Sequence, residues 1–272
     1  MHSQNAQESG KFKQCHAYET ALALRDEGKI RHFGISFHDK AEVLDQILTE
    51  YPQIEVVQIQ FNYLDYEDAS VESRKVYEVA RKHGKPLFVM EPVKGGSLAN
   101  LPEEAQAVLD SLQAKKGTHL SNASYAIRFA AGFEGMSVVL SGMGTLDQMR
   151  DNISYMKDFH PLDADETAAL AHVADIFSSL GTIPCTACHC CIEENHCPKG
   201  ILIPDLFACM NSKTVFHDWN ADFYYSTVLT AAHGKASDCI KCGKCERVCP
   251  QHLPIRKLLE EVAVEFEKKA EA

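Results

Sequence analysis

The sequence is poor in several features that mark whole classes of protein. Its 272 residues include one tryptophan and no apolar run close to the roughly 20 residues that a membrane-spanning helix needs. Positive charge is also scarce, since 27 Lys and Arg stand against 38 Asp and Glu, a formal net charge of −11. Because nucleic-acid binding needs a basic surface, this balance argues against such a partner. We therefore expect neither a membrane span nor a nucleic-acid partner.

The start of the chain also lacks the charged and then apolar order of a secretory leader. Cysteine, by contrast, is plentiful, with 11 residues. Dense cysteine in a protein that is not exported indicates metal binding or redox chemistry rather than disulfide cross-links. These features predict a cytoplasmic protein.

Most of the cysteines lie in two blocks near the C-terminus. The second block reads C-x2-C-x2-C-x3-C-P, the run that holds cubane iron–sulfur clusters and gives its fourth cysteine to the other cluster. The first block has the same order, but five residues rather than three precede its last cysteine. The pattern predicts two [4Fe-4S] clusters. The predicted ligands are Cys185, Cys188, Cys191 and Cys249 for one cluster, and Cys239, Cys242, Cys245 and Cys197 for the other.

Zinc is the main alternative occupant of these blocks. Structural zinc sites are built from C-x2-C pairs, whereas each block here is a triplet followed by a separate Cys-Pro. A zinc-stapled scaffold would be colourless and an iron–sulfur protein brown. Cys15, Cys190 and Cys209 are predicted to be non-ligands, although Cys190 lies beside Cys191 and could compete with it.

The first 180 residues alternate short apolar runs with amphipathic stretches. Nearly continuous apolar runs are typical of parallel strands buried on both faces, and their alternation with helices predicts parallel βα units. The pattern alone leaves open half of an eightfold barrel and a small doubly wound sheet. Strands are predicted at 30–36, 54–61, 86–93 and 136–141, and helices at 40–48, 71–83, 103–115, 119–132, 145–156 and 164–179. Further helices are predicted from Pro204 and over 254–268.

Four segments of this front part, with the cysteine blocks, resemble the aldo/keto reductase family in its subgroup with a C-terminal ferredoxin-like module. They read EGKIRHFGISFHD from Glu27, VVQIQFNYLDYE from Val56, HGKPLFVMEPVKGGSL from His83 and SGMGTLDQMRDN from Ser141. The resemblance implies an α/β fold, namely the C-terminal half of a TIM (β/α)8 barrel over 1–180. An α-helical two-cluster ferredoxin-like domain is expected over 181–272.

The resemblance also implies an NAD(P)H cofactor and a small carbonyl or alcohol substrate. Residues at the family's nicotinamide positions are Ser36, Gln58, Asn62 and Met90, where Met90 replaces a tyrosine common in the family. Those at its phosphate turn are Gly142, Met143, Gly144 and Thr145, and those on the adenosine-side helix are Gln148, Asp151 and Asn152. The family's lysine and arginine for the 2′-phosphate have no counterpart, which leaves NAD and NADP open. The phosphate turn could also be an ordinary glycine turn before a helix.

Of the family's catalytic tyrosine, lysine, aspartate and histidine, only the histidine has a counterpart, His2. A histidine at position 2 is expected to lie in a frayed terminus. Four parallel strands cannot close a barrel that needs eight, so we expect exposed edges, and a truncated form of a longer protein.

Two functions remain open from the sequence. The first is a nicotinamide-dependent carbonyl/alcohol oxidoreductase with two clusters. Hydride transfer moves two electrons and a cluster moves one, which suggests a ferredoxin or flavoprotein as electron partner. The second is a non-catalytic iron–sulfur electron-transfer protein that docks to a partner.

Overall fold

The structure is a computed structural model that describes residues 1–2, 4–68, 71–193, 197–215 and 220–267. The chain forms two compact units. The sheet unit comprises Met1–Leu101 and Ala107–Ala174, and the cysteine unit comprises Pro102–Gln106 and Asp175–Ala272. Among the described helices, none is long and apolar enough to cross a membrane.

The sheet unit is built on four parallel strands in the order β1-β2-β3-β4. The strands are β1 (Gly34–Phe37), β2 (Val56–Gln60), β3 (Leu87–Met90) and β4 (Met136–Val139). The first eight helices are α1 (Ala6–Gln14), α2 (Ala17–Asp26), α3 (Ala41–Glu50), α4 (Ser73–Lys82), α5 (Glu103–Lys116), α6 (Asn122–Ala131), α7 (Leu146–Met156) and α8 (Ala164–Ser179). Each strand predicted from the sequence is present but shorter. The predictions omitted α1 and α2; the sequence of α1 is mostly polar, whereas that of α2 is not.

The two faces of the sheet differ in burial. Strand residues alternate between faces, and one set belongs to the main hydrophobic core: Ile35, Phe37, Val57, Ile59, Leu87 and Val89. The opposite face, called the inner face here, carries Ser36, Gln58, Phe88 and Met90, with Ser36 paired with Gln58 and Gln58 with Phe88. Gln58, Phe88 and Met90 are only half-buried. Ser36 and Gln60 on this face are buried, so the expectation of burial on both faces is met only in part on the inner face.

The N-terminal residues that the structure describes, Met1, His2 and Gln4, lie beside β1, and Gln4 pairs with Phe37 in the parallel sense. The Ser36 amide donates to the Met1 carbonyl at 2.9 Å, and the Gln4 amide donates to the Ser36 carbonyl at 2.7 Å. The expectation of a frayed terminus is wrong, because backbone hydrogen bonds hold this segment against β1. At the opposite edge, Val138 on β4 and Leu140 after it are 38% and 43% exposed.

The cysteine unit is helical, with a small core of its own. Its helices are α9 (Ile203–Val215), α10 (Ala221–Tyr224), α11 (Lys244–Arg247) and α12 (Ile255–Phe266). The predicted helices from Pro204 and over 254–268 correspond to α9 and α12. Tyr225 stacks on Phe266 with ring centroids 4.5 Å apart, while Phe207 and Val262 are fully buried. Several cysteines belong to the same core, so the thiols help to form it.

Candidate functional site

The cysteine unit contains two small cavities, and four cysteines line each of them. Cavity one is lined by Cys185, Cys188, Cys191 and Cys249, and cavity two by Cys197, Cys239, Cys242 and Cys245. The structure thus brings together the two sets that the sequence motif grouped, including the exchange of the fourth cysteine between blocks. Ile203, which is 1% exposed, lines both cavities, so a single buried side chain separates them.

The two cysteine blocks share a repeated backbone conformation. Residues in the left-handed region occur at matching places: Ala187 (φ 52°) and Lys241 (φ 57°), His189 (φ 61°) and Gly243 (φ 72°), Gly200 (φ 61°) and His252 (φ 51°). Non-glycine residues rarely adopt this conformation without a constraint from their surroundings. Turns that combine right- and left-handed residues gather backbone N–H groups into anion-binding concavities, which are common at iron–sulfur sites.

This repeat also shows where the two blocks differ. Cys185 and Cys239 are 54 positions apart, whereas Cys197 and Cys249 are 52 apart, so the first block holds two extra residues before its Cys-Pro. Residues 194–196, which lie in this longer spacing, are outside the described residues. On the first spacing, Cys190 is equivalent to Lys244, a position that supplies no thiol in the second block. The repeat therefore favours a non-ligand role for Cys190.

Burial and hydrogen bonding set the acidity of the thiols in opposite directions. A hydrogen bond from Cys190 lowers the pKa of Cys188 to about 6, against the effect of burial. Burial raises the pKa of Cys245 to about 11, and it also raises the pKa of Cys191 and of Cys249. Buried thiols of this kind become thiolate ligands when a metal supplies the compensating positive charge.

The donor set fits a cluster better than a single ion. In the described part of the chain, no three His, Cys, Asp or Glu side chains converge closely enough to hold one metal ion. Tetrahedral zinc requires four ligands about 2.3 Å from one centre. Four thiols spread around a cavity match the four iron corners of a cubane instead.

On the sheet unit, the inner face brings together several of the predicted nicotinamide residues. The Oγ of Ser36 lies 2.8 Å from Nδ1 of His2, and the Gln58 amide donates to Sδ of Met90 at 3.4 Å. A thioether is a weak acceptor, so a carboxamide oxygen would be a stronger partner for the Gln58 amide. These residues fit a nicotinamide carboxamide at the carboxyl ends of β1 to β3.

Asn62 is engaged in a turn of the protein itself. Its Oδ1 accepts from the amides of Leu64 and Asp65, its Nδ2 donates to Asp65 at 2.6 Å and to the Glu91 carbonyl at 3.1 Å, and it is fully buried. Its side-chain polar atoms are used inside the protein in this structure, and its contact to the cofactor stays a prediction. Asn62 shapes the turn after β2.

Asp65 and Lys94 form a buried ion pair that the sequence pattern does not predict. The Gln60 amide also donates to Asp65, at 2.6 Å. The pair joins the turns after β2 and β3. The only sign of this ion pair in the sequence is Lys94 itself, two residues after the Glu-Pro that follows β3. Its position does not reveal a partner 29 residues away along the chain.

The predicted phosphate turn is closed by its own helix. Thr145 and Gln148 form a capping box at α7, in which Oε1 of Gln148 accepts from the amides of Gly144 (2.8 Å) and Thr145 (3.2 Å). A phosphate at these amides would have to replace Gln148 as acceptor. In this structure Gln148 occupies the amides that a phosphate would use, and its contact to adenosine stays a prediction. Gly142 has nothing within 4 Å of an added Cβ, so the outside of the turn is open.

The remaining predicted residues of this region tie the turn to its surroundings. Asp151 accepts from Oγ of Ser121 at 2.6 Å, which joins α7 to the start of α6. Asn152 donates to Oγ of Ser141 at 2.9 Å and to Sδ of Met143 at 3.3 Å. Asn152 therefore stabilises the turn, and Asp151 holds α7 against the start of α6.

The comparison with family models shows which family the sheet unit resembles. A model of the aldo/keto reductase family matches residues 9–175, more than half of the chain. The chain belongs to the aldo/keto reductase family. A model of the 4Fe-4S dicluster domain matches residues 184–254, which contain both cysteine blocks. The family and domain arrangement predicted from the sequence is confirmed.

Several solved structures are similar to this chain. An aldo/keto reductase from Klebsiella pneumoniae, in complex with NADP and acetate, matches with a TM-score of 0.50 at 16% identity, over 64% of this chain and 57% of that one. The holo form of an aldo-keto reductase from Bacillus halodurans matches with a TM-score of 0.46 at 22% identity, over 63% and 56%. The chain thus spans about half the length of these proteins. No curated protein matches it. The predicted fold class, a TIM-barrel-like α/β fold followed by a helical iron–sulfur domain, is confirmed.

Proposed function

We propose that this protein is an oxidoreductase of the aldo/keto reductase type, which couples nicotinamide-dependent carbonyl/alcohol redox to two [4Fe-4S] clusters. The observation that carries the proposal is the pair of four-cysteine cavities on either side of Ile203. We assign 1–180 to the reductase and 181–272 to the cluster domain. The eleven free thiols suit the reducing cytoplasm.

Cavity one would hold one cluster through its four cysteines, and cavity two would hold the other. Bound clusters would supply one-electron transfer. The backbone N–H groups around the left-handed residues would donate to the sulfur atoms, and the apolar walls, including Ile203 and Phe207, would limit access of water.

The nicotinamide site is proposed for the inner face of the sheet. Ser36 and Gln58 would hold the carboxamide, Met90 would pack against the ring, and the open side of the turn from Gly142 to Thr145 would face the phosphates. NADP in the Klebsiella pneumoniae structure supports a nicotinamide for the family fold. The choice between NAD and NADP stays open, because no cation occupies the positions that the family uses for the 2′-phosphate.

Iron analysis tests the cluster proposal. Protein purified without oxygen is expected to be brown and to contain about eight irons and eight labile sulfides per chain, four of each per cluster. Cys239→Ser is expected to lose about half of the iron, since it opens cavity two alone. Zinc without labile sulfide, or much less iron than this, would reject the proposal.

Binding of NADPH tests the nicotinamide proposal separately. Titration of the protein into NADPH is expected to give saturable fluorescence changes that Gln58→Leu weakens about tenfold, the loss of one good hydrogen bond to a polar ligand. Gln53→Leu, at an exposed loop position, is the matched control and should leave the affinity unchanged. Equal affinities in both variants would exclude Gln58 from the site.

A second function, a non-catalytic electron carrier, is favoured by one observation. Asn62 and Gln148, which the family pattern assigns to the cofactor, are both engaged inside the protein. The carrier predicts clusters that are reduced and reoxidised normally, with no saturable binding of NADH or NADPH. Either function takes a ferredoxin or flavoprotein as electron partner.

A further inference from the structure

Cavity two has a basic surface that cavity one lacks. Lys199 and Arg256 line the cavity, and Arg256 continues into a groove beside Lys241 and Lys257. A Cβ on Gly243 would lie 3.9 Å from the Arg247 guanidinium and 4.0 Å from that of Arg256. These exposed side chains, with Lys244 next to Gly243, are called the basic rim: Lys199, Lys241, Lys244, Arg247, Arg256 and Lys257.

The internal repeat shows whether a four-cysteine cavity needs the basic rim in order to hold a cluster. The equivalent residues around cavity one are Gln251, Ala187, Cys190, Glu193, Pro204 and Asp205. No member of this second set is basic, and two are acidic. Because both cavities have four thiols and the same backbone pattern, holding a cluster does not require the rim.

The rim keeps an excess of positive charge after its ion pairs are counted. Arg256 pairs with Glu246 at 2.8 Å, Lys257 lies 3.7 Å from Glu261, and Lys241 pairs with Glu260. Three carboxylates therefore oppose six cations, on a chain whose formal net charge is −11. Within the part of the chain that the structure describes, Lys244 and Arg247 form no ion pair.

An exposed apolar side chain lies among these cations. Ile240 is 57% exposed and lines cavity two, and the neighbouring ligand position Cys242 is exposed as well. The equivalent of Ile240 in the first block, Thr186, is buried. An apolar centre with a polar, charged surround is the usual composition of a protein–protein interface.

We propose that the basic rim and Ile240 form the docking surface for a small acidic one-electron redox protein, so that cavity two is the side on which electrons enter or leave. The inference rests on the proposed function, since it takes cavity two to hold a cluster. Opposite charges on the two proteins would steer them together and orient the partner over Cys242.

Two other anionic partners fit the surface less well. A nucleic acid would be repelled by the overall negative charge of the chain. A small anion would need a buried cation to hold it, whereas every cation of the rim is exposed. An acidic protein with an interface about as large as the rim needs no buried cation. Many weak, solvent-exposed charge pairs act together across such an interface.

Binding to an acidic [2Fe-2S] ferredoxin tests the proposal. Calorimetry on the full, cluster-loaded chain is expected to show binding at about 0.02 M salt that is largely lost at about 0.3 M, as screening shortens the reach of the charges. Lys244→Glu with Lys257→Glu is expected to weaken binding at low salt at least about tenfold and to flatten the salt dependence. Iron content and visible absorption should not change, because neither residue supplies a ligand.

Two comparisons make the result decisive. Lys29→Glu with Lys115→Glu changes the net charge equally at exposed positions of the sheet unit and should alter the affinity less than about twofold. Ile240→Ser should weaken binding without changing the salt dependence.

Each contrary outcome has a separate meaning. Equal effects of the two charge-reversed double variants, or no binding by fully loaded protein, would overturn the docking surface alone. Tighter, equally salt-sensitive binding of a short single-stranded oligonucleotide would overturn the choice of partner. An iron content far below eight per chain would overturn the proposed function, and the docking surface with it.

Discussion

The Lys94 ammonium group is ion-paired with the Asp65 carboxylate inside the sheet unit, where the two residues are 4% and 2% exposed. Two amide side chains, Gln60 and Asn62, also donate to Asp65. Lys94 adopts a left-handed backbone conformation with φ 47°, and Glu91, three residues earlier, has φ 56°. The ion pair therefore holds a constrained turn at the carboxyl end of β3, beside the proposed nicotinamide site.

Removing the lysine of this pair is expected to be costly. Lys94→Met leaves a buried carboxylate without its counter-ion, and should lower the free energy of unfolding of the sheet unit by about 3 kcal/mol. Urea unfolding followed by circular dichroism measures this change. Lys75→Met, which breaks an exposed pair with Glu72, should cost less than about 1 kcal/mol. If both variants cost the same, the buried pair has no special role in stability.

The repeat in the cysteine unit predicts different roles for two neighbouring cysteines. Cys188→Ser is expected to remove about half of the iron, because it takes one thiol from cavity one. Cys190→Ser should keep the full iron content, since its equivalent position in the second block is Lys244. Iron and sulfide assays on both variants check this. Loss of iron from the Cys190 variant would show that Cys190 is the ligand.

Gln148 provides a test of the phosphate turn. Gln148→Ala frees the amides of Gly144 and Thr145, and it should strengthen NADPH binding while lowering stability by about 1 kcal/mol through loss of the capping box. Fluorescence titration and thermal unfolding measure the two effects. Weaker NADPH binding would instead support the contact to adenosine that the family pattern implies.

The residues around Gly234 leave no room for a side chain at that position. A Cβ there would lie 2.3 Å from the carbonyl oxygen of Lys199, in the segment between Cys197 and α9. Gly234→Ala is expected to destabilise the cysteine unit by about 1–3 kcal/mol, the usual range for overpacking, and to reduce its iron content. Gly142→Ala, where the space is open, should change neither property. The comparison uses thermal unfolding and iron analysis.

Much of this architecture was predictable from local patterns. Strand and helix positions follow from hydrophobic periodicity, which is a property of consecutive residues. The grouping of Cys249 with the first block also came from the sequence, because the spacing of the motif carries it. The resemblance placed Ser36 and Gln58 on adjacent strands, and the register of β1 and β2 sets them opposite each other.

Contacts between distant segments could not be predicted in this way. Asn62 has the residue type of a cofactor ligand, but its use inside a turn depends on Asp65 and on the Glu91 carbonyl across the sheet. The acceptor role of Gln148 is local instead: Thr145 and Gln148 have the T-x-x-Q spacing of a capping box, a signal that the sequence contains. A polar side chain is available to a ligand only if no neighbour already satisfies it, and that depends on three-dimensional packing.

The amino-acid sequence by itself determined the two-part organisation, the order of strands and helices, and the two sets of four cysteines, since each depends on spacing along the chain. Only the tertiary structure decided which face of the sheet is open, which polar side chains are already engaged, and that six cations gather around one cavity alone. Those properties arise where segments remote in sequence meet, because burial, hydrogen bonding and charge act through distance in space.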